Sequence, residues 1–219
     1  MSTKEYEYNE KIHATIINPY LSKDNFYNNC ELIKNYNIKN ISTSLLFLKD
    51  LKEYFHNSKV NLKTYVSYPL ADIPTDYLNN LIIYAEDSGA DEIEYVPKFN
   101  LLTRGDDESF ARDIEAVLST KLPLTLIFNK ERLEKEYFDK ALIISLELGI
   151  QNFQFGDGFS SKFFADDLKE IIDFSSQFRQ IKIGSSIDNL EQVNQLLNAG
   201  ADCIGSPYFH KIFREIKSS

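Results

Sequence analysis

Short apolar runs alternate with longer polar stretches from residue 12 to the end of the chain. The runs cover 12–17, 40–45, 62–66, 92–96, 124–128, 152–156, 180–184 and 202–206. They are rich in Ile, Val, Phe, Tyr and Thr, which fit a pleated, packed surface, so each predicts a strand. The stretches between them carry apolar residues at helical spacing. Phe26, Cys30 and Ile33 mark a helix over 22–36, and Leu78, Ile82 and Ala85 mark one over 75–88. The same reading gives helices over 47–55, 106–119, 131–148, 164–174, 189–198 and 208–216. Ser22 and Asp188 are placed to cap two of these, and Gly89, Gly149 and Gly200 stand where three of them stop.

Strands separated by helices pair in parallel, because each crossover returns the chain to the same edge. Eight such units in 219 residues predict an α/β protein, an eight-stranded parallel (β/α)8 TIM barrel. An open doubly wound sheet is the competing arrangement. Its usual Gly-rich turn after the first strand is missing here, where the turn reads Asn18-Pro19-Tyr20. No linker or shift of composition interrupts the pattern. The expectation is one domain over 1–219, with 1–10 as a polar lead-in.

Charge narrows the choice of partner. The net charge is −9 with no basic stripe, which argues against nucleic acid and an anionic membrane surface. The start has no apolar signal core and no run is long enough to cross a bilayer. Two cysteines without metal or disulfide spacing suit a reducing compartment, so a cytoplasmic location is expected. The chain lacks a ligand cluster for a metal, and no cofactor is expected.

In a barrel, working residues lie at the carboxyl ends of strands and in the loops that follow. Lys182 alternates with Ile181 and Ile183, so if the isoleucines pack under helices the lysine points into the ring. A buried ammonium costs several kcal/mol unless it pairs or loses its proton. Glu94 is either a surface glutamate or, if it and Lys182 both face inward, the acid–base partner of that lysine. Glu92 reads as a surface glutamate at the start of its strand. His13 is one of 3 histidines, either a core residue or an acid–base group. Gly156-Asp157-Gly158, Gly184-Ser185-Ser186 and Gly205-Ser206-Pro207 end the last three strands. Small residues before helices leave backbone N–H groups free for a phosphate, or are simply tight turns. Asp157 and Asp188 oppose an anion there, and Lys182 and Lys162 are the nearby cations.

These residues carry a resemblance. Ile12-His13-Ala14-Thr15-Ile16-Ile17-Asn18-Pro19, Tyr68-Pro69-Leu70, Gly89-Ala90-Asp91-Glu92-Ile93-Glu94 with Leu101-Leu102 and Gly105-Asp106, Gly158-Phe159, Lys182 with its turn, and Ala199-Gly200-Ala201 through Gly205-Ser206 resemble the deoxyribose-phosphate aldolase family. That resemblance implies a class I aldolase barrel, a small carbonyl or sugar-phosphate ligand and a possible homodimer. The family forms a Schiff base on a lysine of the sixth strand, with an aspartate on the fourth and a second lysine on the seventh moving protons. Lys182 falls on the second lysine and Glu94 on the aspartate. The imine-forming position holds Gln154, whose amide cannot form that bond. The first-strand aspartate and lysine are His13 and Asn18, and the fifth-strand glutamate is Asn129. In the phosphate region the threonine is Asp157 and the arginine is Asp188.

The resemblance therefore implies an aldolase-like lyase in which Lys182 takes over as Schiff-base residue. Glu94 would move protons and Gln154 would orient the carbonyl. Asn18, Asn129, Asp157, Gly158, Gly184, Ser185, Ser186, Gly205 and Ser206 would line the ligand site. The alternatives are a catalytically inactive barrel that binds a small metabolite or a partner protein, and a lyase or isomerase using Glu94 and His13 without an imine.

Overall fold

The computed structural model describes residues 7–157, 163–169, 171, 174 and 176–218. Strands β1 (Ile12–Ile16), β2 (Asn40–Ser44), β3 (Asn61–Val66), β4 (Glu92–Tyr95), β5 (Leu124–Phe128), β6 (Asn152–Phe155), β7 (Gln180–Gly184) and β8 (Cys203–Ser206) pair in parallel with their sequence neighbours. β8 pairs with β1, so the sheet closes into a ring. The open-sheet alternative is excluded. The described helices are α1 (Lys23–Asn35), α2 (Leu48–Tyr54), α3 (Thr75–Asp87), α4 (Phe99–Thr103), α5 (Asp107–Leu118), α6 (Lys135–Glu147), α7 (Ala165–Lys169), α8 (Leu190–Asn198) and α9 (Phe209–Ser218).

Strand alternation divides the interior in two. Ile12, Ala14 and Ile16, with Ile41, Ile93, Leu126, Phe153 and Ile183, pack outward in a buried apolar shell under the helices. The opposite face of each strand fills the ring, and there the residues are polar: His13, Thr15, Ser42, Lys63, Glu92, Glu94, Thr125, Gln154 and Lys182 are all buried. Burying apolar area on the outer shell is the main favourable term. It holds in place an inner polar cluster that must satisfy itself.

Local signals place the ends. Ser22 Oγ accepts the Asn25 N–H and starts α1. At α8 the cap is Asn189, not Asp188: Asn189 Oδ1 accepts the Gln192 N–H at 3.0 Å, while Asp188 pairs with Lys211 at 3.0 Å. Helix α4 was not anticipated, since a five-residue helix is too short for a periodic signal. The expected helix over 131–148 divides, because Leu133 adopts an extended backbone between a 3-10 turn at Lys130–Arg132 and α6. Of the helix expected over 164–174, α7 is described, and residues 170, 172 and 173 lie outside the described residues.

Asp113 ties the outer layer together. Its buried carboxylate accepts from the Tyr95 hydroxyl at 2.6 Å, the Lys98 N–H at 3.1 Å and the Thr75 hydroxyl at 3.1 Å, and pairs with the Lys98 ammonium. It joins α5 to β4, the β4–α4 turn and α3. Burial, then Asp113 itself, pushes the Tyr95 phenol far above its ordinary value, so the hydroxyl stays a donor. Asp113→Ala should cost about 3 kcal/mol, because it leaves a buried hydroxyl and an ammonium without their acceptor. The check is urea unfolding, with a lower midpoint at an unchanged slope.

Candidate active site

Lys182 stands in the middle of β7 and its ammonium crosses the ring. Nζ lies 2.5 Å from Glu94 Oε1 on β4 and 2.7 Å from Ser42 Oγ on β2. Ser42 in turn donates to Glu94 Oε1 at 3.2 Å. Lys182 is 1 % exposed and Glu94 is 0 % exposed. The expected pairing is therefore present across the barrel, closed off from bulk water. Glu94 Oε2 is buried and has no hydrogen-bond partner among the described residues.

Gln154 sits beside Lys182 in the β6–β7 register. Its amide N–H donates to the Gly156 carbonyl at 3.1 Å, and its Oε1 has no partner among the described residues. Two glycines make this crowding possible. A Cβ on Gly205 would stand 2.8 Å from Lys182 Cε, and one on Gly184 would stand 2.5 Å from Gln154 Nε2. These glycines make room for side chains of the ring, a use that the turn reading of the sequence did not identify.

A second ion pair lies nearer the amino end of the ring. Lys63 Nζ is 2.6 Å from Glu92 Oε2, and Thr125 donates to Glu92 Oε1 at 2.5 Å. Glu92 is thus buried and paired, which corrects its reading as a surface glutamate. The neighbour that makes this possible, Lys63, was missed. Its inward position could have been found from the alternation Leu62, Lys63, Thr64, Tyr65.

His13 is buried in β1 and borders the depression at the amino end of the barrel. Burial first, then the Lys182 and Lys63 charges, hold its pKa well below the usual 6.5, against a smaller opposite pull from the Glu10 backbone. The ring is neutral at pH 7. Cys203, next to Lys182 in register, has its thiol pushed up to about 12 by burial, so it is no thiolate nucleophile.

Tyr65 closes the carboxyl side. Its ring centroid is 5.8 Å from Lys182 Nζ and 4.7 Å from that of Tyr68, and it packs with Val96 and Ile127. Burial, then Glu94, holds its phenol well above the ordinary value, so it stays neutral. Above this aromatic floor is a cleft of about 430 Å³, reached from the mouth and lined in part by Asn129 and Asp157. Tyr68 donates to the Asp157 carbonyl at 2.7 Å.

The other anticipated ligand residues lie elsewhere. Asn18 is exposed and accepts the Tyr20 N–H within its own turn. Ser185 Oγ accepts the Phe163 N–H at 3.2 Å. Ser206 Oγ donates to the Ile187 carbonyl and accepts the Tyr208 N–H. Ser185 and Ser186 line a separate depression with Asp188 and Lys211. Gly158 and Lys162 lie outside the described residues. Among the described residues, no group of three His, Cys, Asp or Glu side chains is placed to hold a metal.

No family model matches the chain. Individual proteins do. It is 25 % identical over 218 residues to the deoxyribose-phosphate aldolase of Mycoplasmoides pirum, covering 95 % of this chain and 97 % of that protein. It is 27 % identical over 212 residues to that of Ureaplasma urealyticum, covering 94 % and 97 %. The chain is a distant relative of the deoxyribose-phosphate aldolases. Among solved structures, the deoxyribose phosphate aldolase of Aeropyrum pernix superposes with a TM-score of 0.87 at 16 % identity, covering 100 % of this chain and 94 % of that one. A mutant tryptophan synthase α-subunit from Pyrococcus furiosus reaches 0.60 at 13 % identity, covering 94 % and 90 %. These likenesses extend over the whole barrel, consistent with the ring closure described above. In this ring the two buried lysines, Lys63 and Lys182, stand on β3 and β7, and β6 carries the Gln154 amide.

Two outcomes are expected. His13 has a folded pKa below its unfolded one, so the native state binds fewer protons. Its contribution to stability is complete above pH 6.5 and declines as pH falls below it, by at most about 1.4 kcal/mol per pH unit. His210 is shifted the same way by burial, so the comparison to make is wild type against His13→Gln. Urea unfolding from pH 7 to 5 should fall less steeply in the variant. Separately, Tyr65→Ala should open the cleft onto the ammonium. A small aldehyde with borohydride should then label Lys182 at least several-fold faster, read by peptide mass.

Proposed function

We propose that this protein is an aldolase-type carbon–carbon lyase acting on a small carbonyl or sugar-phosphate compound, with Lys182 as the imine-forming residue. The observation that carries the proposal is the 2.5 Å contact between Lys182 Nζ and Glu94 Oε1 in a closed polar ring. The relationship to the deoxyribose-phosphate aldolases supports the reaction class. Gln154 cannot act as nucleophile, and Lys63 is paired with Glu92 nearer the amino end, which leaves Lys182 on the seventh strand as the amine toward the carboxyl end.

The chemistry follows from the pair. Glu94 takes a proton from the Lys182 ammonium and frees the amine. The amine attacks the substrate carbonyl, and the carbinolamine hydroxyl leaves as water with the Glu94 proton, giving an iminium. Glu94, again a carboxylate, then takes the β-hydroxyl proton as the Cα–Cβ bond breaks, and it is this proton that later returns to Cα. The bonding pair moves into the iminium to form an enamine, and an aldehyde departs. A proton returned to Cα and hydrolysis of the iminium restore the lysine. Glu94 Oε2 supplies the second oxygen through which protons enter and leave. Gln154 Oε1 is suited to accept from the carbinolamine hydroxyl or from a water. His13, neutral at the base of the ring, keeps a third positive charge away from Lys182 and Lys63.

The wider setting belongs to the same reading. Among the described residues no helix is long and apolar enough to cross a membrane. Cys30 and Cys203 are free, buried thiols, which supports a reducing, cytoplasmic site of action for a one-domain chain. A homodimer is proposed by analogy with the resemblance alone.

The test is covalent trapping. With acetaldehyde, propanone and dihydroxyacetone phosphate in turn, borohydride should leave a mass adduct on Lys182 in the wild-type chain. Lys182→Ala leaves Glu94 buried without its partner and endangers the fold. Lys182→Met with Glu94→Gln removes both charges at similar volume, and should fold while giving no adduct. No adduct with any carbonyl, or one that survives in the double variant, would reject the proposal. It would favour the alternatives of an imine-free acid–base enzyme or a ligand-binding barrel.

A further inference from the structure

The cleft of about 430 Å³ at the β3–β6 side of the mouth has no part in the chemistry above. Val96 lies two residues beyond Glu94, so it faces the same interior one layer higher. Ile127 is opposite Gln154 in the β5–β6 register. Both line the cleft, and both pack on Tyr65, the ring that covers Lys182. The walls add Leu70, Phe99 and Leu133. A substrate carbonyl that reaches Lys182 from the mouth therefore leaves the rest of its molecule in a cleft whose wall over the ring is apolar, with Asn100 and Asn129 also lining it.

Among the described residues lining the cleft, one cation, Arg132, faces two carboxylates, Asp72 and Asp157, so the described rim does not favour an anion. The turns that end β7 and β8 are no better suited to a phosphate, because the Ser185 and Ser206 hydroxyls there are already engaged. Ser206 Oγ is used both as donor and as acceptor, and Ser185 Oγ accepts the Phe163 N–H. The neighbouring Lys211 is paired with Asp188 at 3.0 Å. The faces of Gly184 and Gly205 that lack a Cβ are filled by Gln154 and Lys182. A phosphate dianion would have to displace these contacts and lie beside a carboxylate, at a large desolvation and repulsion cost.

We infer that the aldehyde half of the substrate is apolar and carries no phosphate, and that this cleft binds it. The inference rests on reading Lys182 as the imine-forming residue. It concerns only which aldehyde is released or accepted. An apolar pocket discriminates by roughly 10- to 200-fold for each methylene it buries or lacks, so the preference should be large enough to measure.

The experiment is aldol addition of acetaldehyde to three acceptors, 3-methylbutanal, benzaldehyde and glyceraldehyde 3-phosphate, using the full chain. The first two should show kcat/KM at least tenfold above the third. Leu70 is 70 % exposed and Leu133 is half-buried, so Leu70→Ser and Leu133→Gln should fold. Each should lower kcat/KM for the apolar acceptors several-fold more than for the phosphorylated one, and keep the borohydride adduct of acetaldehyde on Lys182. Lys211→Ala should change none of the three rates. A preference for the phosphorylated acceptor, or apolar rates indifferent to both cleft variants, would overturn the inference while the Lys182 adduct still stands. Absence of any Lys182 adduct would instead fail the imine reading, and this inference with it.

Discussion

One ion pair sets the terms for this barrel. An ammonium from β7 and a carboxylate from β4 meet at 2.5 Å across the ring, with a serine hydroxyl from β2 touching both. Three strands are cross-linked through space that most barrels fill with branched apolar side chains. Such a pair gains little net stability, since desolvation offsets the Coulombic attraction. Its strength lies in asymmetry: either charge alone would be far more costly than both together. The ring must therefore keep both groups or lose both, and the glycines on β7 and β8 are small because the side chains need that volume.

A second pair below it, Lys63 with Glu92, makes the interior a stack of two opposite-charge contacts. Local charge balance is what allows so many polar groups inside a ring whose strands are only four to six residues long. It also fixes the state of the bystanders. His13 is held neutral first by burial, and the two lysine charges beside it add to the same effect. Cys203 and Tyr65 are held protonated by burial. What remains to move protons is the pair itself, with the open oxygen of Glu94 as the outlet.

The mouth obeys a different rule. Above Tyr65 the surfaces turn apolar, and the groups that end β7 and β8 bond to one another. The proposed chemistry and the proposed specificity thus occupy successive layers: charged at the reacting carbon, apolar where the departing aldehyde would lie. The aromatic partition between them is the part that must move. Tyr65 is buried against Val96, Ile127 and the tilted ring of Tyr68, so that motion has to break these contacts.

Much of this was legible in the chain. A period of 2 gave the eight strands to within a residue, and a period of 3.6 gave most helices, though not the five-residue α4 or the break at Leu133, because burial on the outer shell imposes those periods directly. Alternation also sent Lys182 and Glu94 inward. It did not reveal that Glu92 is buried, because Lys63 comes from 29 positions earlier in the chain, and only the β3–β4 register sets the two side by side. Nor could it distinguish a glycine that frees an N–H for a ligand from one that yields space to a lysine, since both read as small residues in a turn. The sequence by itself determined which residues face which way, a local consequence of strand geometry. The tertiary structure alone decided which of them meet, because closing the ring brings together side chains whose separation along the chain carries no signal of contact.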